Sequence, residues 1–103
     1  MEGYLTKWTN MVSRWKKRFV VIIDSKLYYY KAKGSSLKGT VDITQSHIEM
    51  NSNDPMLFTI ANKNTGEKLY FRAFTTQEKL RWMNALNQIT NLPFLTQTAS
   101  IKK

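Results

Sequence analysis

Lys7, Lys16 and Arg18 are the residues whose types and spacing suit a defined chemistry. Strand side chains alternate between faces with a period of two. On the face of Gly3, Leu5 and Lys7, the apolar Leu5 points to a core and Lys7 ends the row. Lys16, Arg18, Val20 and Ile22 share a face of the next strand in the same way. If the loop over 9–14 closes an antiparallel hairpin, Lys7 falls opposite Lys16. Three cations then meet at the mouth of an otherwise apolar sheet. Such convergence reads as an anion site, and phosphate suits both Lys and Arg.

Other chemistries find no support. The seven carboxylates, Glu2, Asp24, Asp42, Glu49, Asp54, Glu67 and Glu78, form no paired motif. No serine lies in a nucleophile elbow, and no glycine loop cradles phosphate. The chain is not expected to be an enzyme or to carry a cofactor. Without cysteine there is no disulfide and no thiolate metal site. The single histidine, His47, stands far from the basic cluster in the chain and is not read as a metal ligand or base.

The elements that must position these cations follow from pattern. The 103 residues, 42% hydrophobic and 13% aromatic, suit one domain with a real core. Strand patterns cover Gly3–Trp8, Trp15–Ile23, Lys26–Lys31, Thr40–Ile43, His47–Met50, Met56–Ala61 and Lys68–Phe74. Asp24-Ser25 reads as a tight turn, and Asn62-Lys63-Asn64-Thr65-Gly66 as a hairpin loop. Thr75 with Glu78 fits a capping box, and Trp82, Leu86 and Ile89 then recur at helical spacing, with Met83 widening the stripe. The expected fold is mainly β: seven strands in a small, partly open antiparallel barrel or sandwich, closed at one end by a helix over about 76–91. The loops at 9–14, 32–38 and 62–66 are expected at the other end. The domain is expected over 1–92, with 93–103 as a tail or linker.

Charge gives a partner class. Residues 1–38 hold nine basic and two acidic side chains, a balance of +7 out of the total of +9. A basic half implies a polyanionic partner: nucleic acid, an anionic membrane or an acidic protein. The longest apolar run, Phe19-Val20-Val21-Ile22-Ile23, is far too short to span a bilayer. Membrane contact is therefore expected to be peripheral, from a cytoplasmic address. The glycine-aromatic pattern of an RNA-recognition sheet is missing, which argues against nucleic acid.

Taken together, Gly3-x-Leu5-x-Lys7, Trp15-Lys16-Lys17-Arg18-Phe19-Val20-Val21, Leu27-Tyr28-Tyr29-Tyr30, Lys38-Gly39 and the helix with Trp82 resemble a pleckstrin homology (PH) domain over residues 1–92. Lys7-Trp8-Thr9-Asn10, the apolar loop tip and Trp15 narrow the resemblance to the oxysterol-binding, ceramide-transfer and four-phosphate adaptor group. The sequence departs from that group at Lys16 and Lys17, where relatives are often less basic, and at Phe19-Val20, where Trp then Phe is usual.

The resemblance implies a phosphoinositide site in which Lys7, Lys16 and Arg18 hold headgroup phosphates, completed by Tyr29 and Lys38. It implies phosphatidylinositol 4-phosphate on Golgi-type membranes, with a small GTPase as a frequent co-receptor and no oligomer required; a monomer is expected. The extra cations leave room for a more phosphorylated lipid at the plasma membrane. Thr9, Asn10, Met11, Val12, Arg14 and Lys17 are the expected membrane-contacting residues. Met11 and Val12 form an apolar tip, and a fully buried apolar side chain contributes roughly 1.5–3 kcal/mol. Arg14, Lys17 and Lys33 add diffuse attraction of about 1 kcal/mol each near an anionic surface. The same fold also serves as a protein-interaction module, which is the alternative reading.

Overall fold

The computed structural model describes residues 1–9 and 14–90. Seven strands precede one helix: β1 (Glu2–Trp8), β2 (Trp15–Ile23), β3 (Lys26–Tyr30), β4 (Leu37–Asp42), β5 (Ser46–Met50), β6 (Leu57–Asn62), β7 (Lys68–Arg72) and α1 (Thr76–Thr90). A short 3₁₀ turn, Ile43–Gln45, joins β4 to β5. The order across the sheet is β4-β3-β2-β1-β7-β6-β5, with every neighbouring pair antiparallel. β4 and β5 are edge strands, so the sheet is open between them.

The two halves of the sheet share one core. Leu5, Val20 and Leu27 from β1–β3 cluster with Phe58, Ile60 and Phe71 from β6 and β7, all within 1% of full burial. Phe58 stacks on Phe71 with ring centroids 5.8 Å apart, and Tyr29 meets Phe71 edge-on at 6.3 Å. That last contact crosses from one half of the sheet to the other. The core face of β2 carries Val20 and Ile22, as alternation requires.

The outer face of the first half has its own small cluster. Phe19 is buried there between Tyr4, 5.1 Å away, and Tyr30, at 6.5 Å. These three rings lie in register on adjacent strands: Tyr4 pairs with Phe19 and Phe19 with Tyr30. Alternation alone places Phe19 in solvent; neighbouring aromatics on the same face bury it.

The helix closes one end of the core. Trp82, Met83 and Leu86 are buried, and Ile89 packs against the cluster. The helix lies against β5 and the 3₁₀ turn, and Trp82 reaches Gly3: a Cβ there would stand 3.4 Å from Cζ2 of the indole. Removing such a ring costs about 3–5 kcal/mol in a packed core. The amide of Glu78 donates to Oγ1 of Thr75 at 3.1 Å, the N-cap bond of the expected box.

β4 is longer than expected. It begins at Leu37, and its register against β3 shifts between Tyr29 and Tyr30, with Gly39 paired to Tyr29. Gly39 is needed because the Tyr29 ring lies on it: a Cβ would fall 2.6 Å from Cζ and 2.9 Å from Cε1. Gly39, which precedes the expected strand, is thus a close approach inside it. The tail expected over 93–103 lies outside the described residues.

Candidate anion-binding site

The β1–β2 hairpin aligns the cations. Lys7 pairs with Lys16 across the two strands, and Leu5 pairs with Arg18. Directly opposite residues share a face, so Lys7, Lys16 and Arg18 emerge on the core side, beyond Leu5 and Val20. The hairpin neck is fastened at its mouth: the amide and the hydroxyl of Thr9 both donate to the carbonyl of Arg14, at 2.7 and 2.9 Å. Arg14 is held at φ 46°, an uncommon backbone state for a residue with a side chain.

Lys7 is half-buried. Its Nζ lies 5.0 Å from the centroid of the Tyr29 ring and donates to the carbonyl of Trp8 at 3.4 Å. Burial lowers its pKa, the Arg18 charge lowers it further, and Glu67 partly opposes both. The Tyr29 hydroxyl is shifted the other way, raised by burial and then by Glu67, with Arg18 opposing. Lys7, Arg18, Tyr29 and Glu67 therefore share one electrostatic neighbourhood. Arg18 is half-buried and donates through Nη1 to the carbonyl of Lys17 at 3.0 Å, while Lys16 is exposed.

A cleft of about 390 Å³ opens beside this group, lined by Lys7, Trp8, Thr9, Tyr29, Glu67, Lys68, Leu69 and Tyr70. Its walls come from the end of β1, the middle of the sheet and the β6–β7 hairpin. A smaller cleft of about 160 Å³ runs between β4 and the β6–β7 turn, with Asp42 and Glu67 in its lining and no lysine or arginine. Lysines line the first cleft and only carboxylates carry charge in the second.

The remaining expected residues lie as follows. Lys38 is exposed at the β4 irregularity, next to Gly39. Lys17 points to the outer face, its Nζ 4.6 Å from the centroid of the Tyr4 ring. Lys33 joins it there, 5.6 Å from the Phe19 ring and 3.9 Å from Glu2. Thr9 clamps the neck, and Arg14 is exposed beside it. Asn10, Met11 and Val12 lie outside the described residues.

Two features were not read from the sequence. Glu67 brings a carboxylate into the cationic cleft from 60 residues away. Arg72 lies under Trp15, its guanidinium carbon 5.4 Å from the ring centroid, and Trp15 meets Trp8 edge-on at 5.5 Å. Arg72 Nε stands 3.1 Å from Oδ2 of Asp54, paired in charge without hydrogen-bond geometry. Together they support the base of the hairpin from its outer side. His47 sits on the surface, its Nε2 3.0 Å from Glu49, which also holds Lys68 at 3.2 Å.

Sheet order, capping helix and the cationic mouth of the first hairpin form a recognisable whole, and the family model for the PH domain matches residues 1–91. The chain belongs to the PH domain family. Among curated relatives, pleckstrin homology domain-containing family A member 8 of Danio rerio is 33% identical over 91 residues, covering 84% of this chain and 16% of the relative. Ceramide transfer protein of Mus musculus is 28% identical over 89 residues, covering 84% and 14%. This PH domain thus spans less than a quarter of the length of the curated relatives it matches. The solution structure of the PH domain of human oxysterol-binding protein-related protein 11 superimposes with a TM-score of 0.78 at 28% identity, covering 100% of this chain and 86% of that one. The C-terminal PH domain of pleckstrin, solved in complex with D-myo-Ins(1,2,3,5,6)P5, has a TM-score of 0.77 at 20% identity, covering 87% and 93%, and shares the fold. The expected kinship with ceramide-transfer and oxysterol-binding-related domains is thereby found. PH domains are commonly lipid- or phosphoinositide-binding modules.

Proposed function

We propose that this PH domain is a membrane-targeting module that reads a phosphoinositide headgroup, with phosphatidylinositol 4-phosphate on Golgi-type membranes as its ligand. The observation that carries the reading is the convergence of Lys7, Lys16 and Arg18 on one face at the hairpin mouth, beside a cleft walled by Tyr29. Arg18 grips two phosphate oxygens in fixed geometry, while Lys7 and Lys16 supply adaptable charge. Lys38 provides a second basic wall, and the 9–14 loop, with Met11 and Val12 at its tip, enters the bilayer. Arg14, Lys17 and Lys33 add long-range attraction to an anionic surface.

The relatives support the lipid assignment, because a ceramide transfer protein and an oxysterol-binding protein-related protein are named among them. Among the described residues no helix is long and apolar enough to cross a membrane, in keeping with a peripheral mode of attachment. A monomer suffices for this chemistry, and a small GTPase is the expected co-receptor.

The test is competition. Vesicle binding by this domain should be displaced by micromolar soluble inositol phosphate but not by an equal concentration of sulfate. Equal displacement by both would reduce the site to a basic patch.

A second reading rests on the sheet order, which among the described residues leaves the outer side of β5 unpaired while α1 packs against that strand. An extended peptide that adds to this edge would make the domain a protein-interaction module. Such binding would survive loss of Lys7 and Arg18.

A further inference from the structure

Glu67 is a carboxylate in a cleft whose other charged groups attract anions. The lining that includes Lys7, Thr9 and Tyr29 also includes Glu67. Its charge is felt at both ends of that group, favouring the protonated forms of Lys7 and of Tyr29. Among the described residues no lysine or arginine nitrogen stands within 4.0 Å of this carboxylate, and the adjacent Lys68 is engaged by Glu49. Glu67 is therefore a negative wall of the cleft and not half of a neutral ion pair.

The backbone beneath it is held firmly. The Asn62 amide donates to the Glu67 carbonyl at 2.8 Å, and the Gly66 amide to the Asn62 carbonyl at 2.9 Å. Oδ1 of Asn62 accepts from the amides of Asn64 and Thr65, at 2.8 and 2.9 Å, and the Glu67 amide donates to Oγ1 of Thr65 at 3.1 Å. Gly66 takes the left-handed conformation, φ 79°, that the turn demands. The turn is tied in addition to the 3₁₀ turn, since the Lys63 amide donates to the Gln45 carbonyl at 2.8 Å. A carboxylate on such a base cannot swing away with its main chain when an anion enters.

We propose that Glu67 is a specificity-determining residue: from the β6–β7 rim, facing Lys7 and Tyr29, its carboxylate excludes a second phosphate from that side of the cleft and confines the site to sparsely phosphorylated headgroups. The inference rests on the headgroup reading above and names the ligand class that reading takes. One phosphate sits against Lys7, Lys16 and Arg18. A further phosphate across the ring brings nearly two more negative charges toward Glu67, an exposed carboxylate beside the half-buried Lys7 and Tyr29, so solvent screens part of the repulsion and the remainder sets the discrimination. The abundance of lysines in β1 and β2 alone would favour the most phosphorylated lipid; Glu67 opposes that tendency on one side.

The test measures binding of soluble inositol 1,4-bisphosphate and inositol 1,4,5-trisphosphate by calorimetry, at one salt concentration, to the wild-type chain, Glu67→Gln, Glu67→Asp and Glu78→Gln. Glu78 opens the helix, so its substitution changes the net charge equally without touching the cleft. The proposal expects Glu67→Gln to tighten the trisphosphate about tenfold and the bisphosphate about twofold or less, a tenfold step being 1.4 kcal/mol. Glu67→Asp should keep the wild-type ratio, and Glu78→Gln should leave it unchanged. Equal tightening of both ligands by Glu67→Gln, or none, overturns the role of Glu67 while leaving the headgroup site standing. Absence of binding to every variant, wild type included, overturns the headgroup reading and this inference with it.

Discussion

Lys7 stands directly opposite Lys16 across the first hairpin, so two like charges face each other on adjacent strands, with Arg18 two pairs further in, opposite Leu5. Like charges in that relation are destabilising by a few tenths to about 1 kcal/mol. The depressed pKa of Lys7 has separate causes, its burial first and then the Arg18 charge, with Glu67 opposing. A fold that carries this arrangement loses stability in its empty state, and a polyanion bound at the proposed site would relieve it.

Replacing Lys7 by Met should therefore stabilise the empty domain. Methionine keeps the unbranched stem that packs beside Tyr29 while removing the half-buried charge. We expect Tm to rise by about 2–4 °C, consistent with a gain of about half a kilocalorie per mole in a domain of this size. Thermal unfolding checks this, and a fall in Tm would show that Lys7 is not under electrostatic strain.

Alkaline pH should act on stability and on binding in opposite directions. The folded-state pKa of Lys7 lies below its unfolded value, so between the two the unfolded chain holds more protons on this residue, and its contribution to stability rises with pH through that window, until above about pH 10 the raised pKa of Tyr29 contributes in the opposite direction. Phosphate favours charged Lys7 and raises its pKa, so binding takes up protons in the same window and affinity falls as pH rises. Calorimetry in two buffers of different ionisation enthalpy reads the proton uptake directly. Lys7→Arg, which stays charged throughout, should abolish it.

Gly39→Ala should displace Tyr29. The new Cβ would meet the ring at 2.6 Å from Cζ, a contact that something must yield to. Because Tyr29 also packs edge-on against Phe71, the shift reaches the core. Overpacking of this kind costs about 1–3 kcal/mol. Denaturant unfolding should show that loss, and Gly39→Ala combined with Tyr29→Phe should recover part of it, since the phenolic oxygen makes the tightest approach.

The parts of this fold legible in the sequence are those governed by local period. Alternation in β1 and β2 was enough to put Lys7 and Lys16 on one face, because a one-residue slip would turn Leu5, Val20 and Ile22 out of the core, and the expected hairpin over 9–14 set the two lysines opposite each other. The helix and its Thr75 cap were legible for the same reason. Glu67 was not, because its neighbourhood depends on β7 pairing with β1, Lys7 against Phe71, between residues 64 apart in sequence. The start of β4 was not legible either: Gly39 lies within the strand with the Tyr29 ring pressed on it, a contact that only the fold shows. The burial of Phe19 on the outer face likewise needed the cross-strand positions of Tyr4 and Tyr30.

The most direct measurement is sedimentation with vesicles that carry each phosphoinositide in turn, using the wild-type domain, Lys7→Ala and Arg18→Ala. Binding is expected to vesicles with phosphatidylinositol 4-phosphate above those with other phosphoinositides, reduced at least about tenfold by either substitution, since a charge-assisted phosphate contact of roughly 1.5–3 kcal/mol is lost. Equal binding to every anionic vesicle, or binding that survives the loss of Lys7 and Arg18, would contradict it.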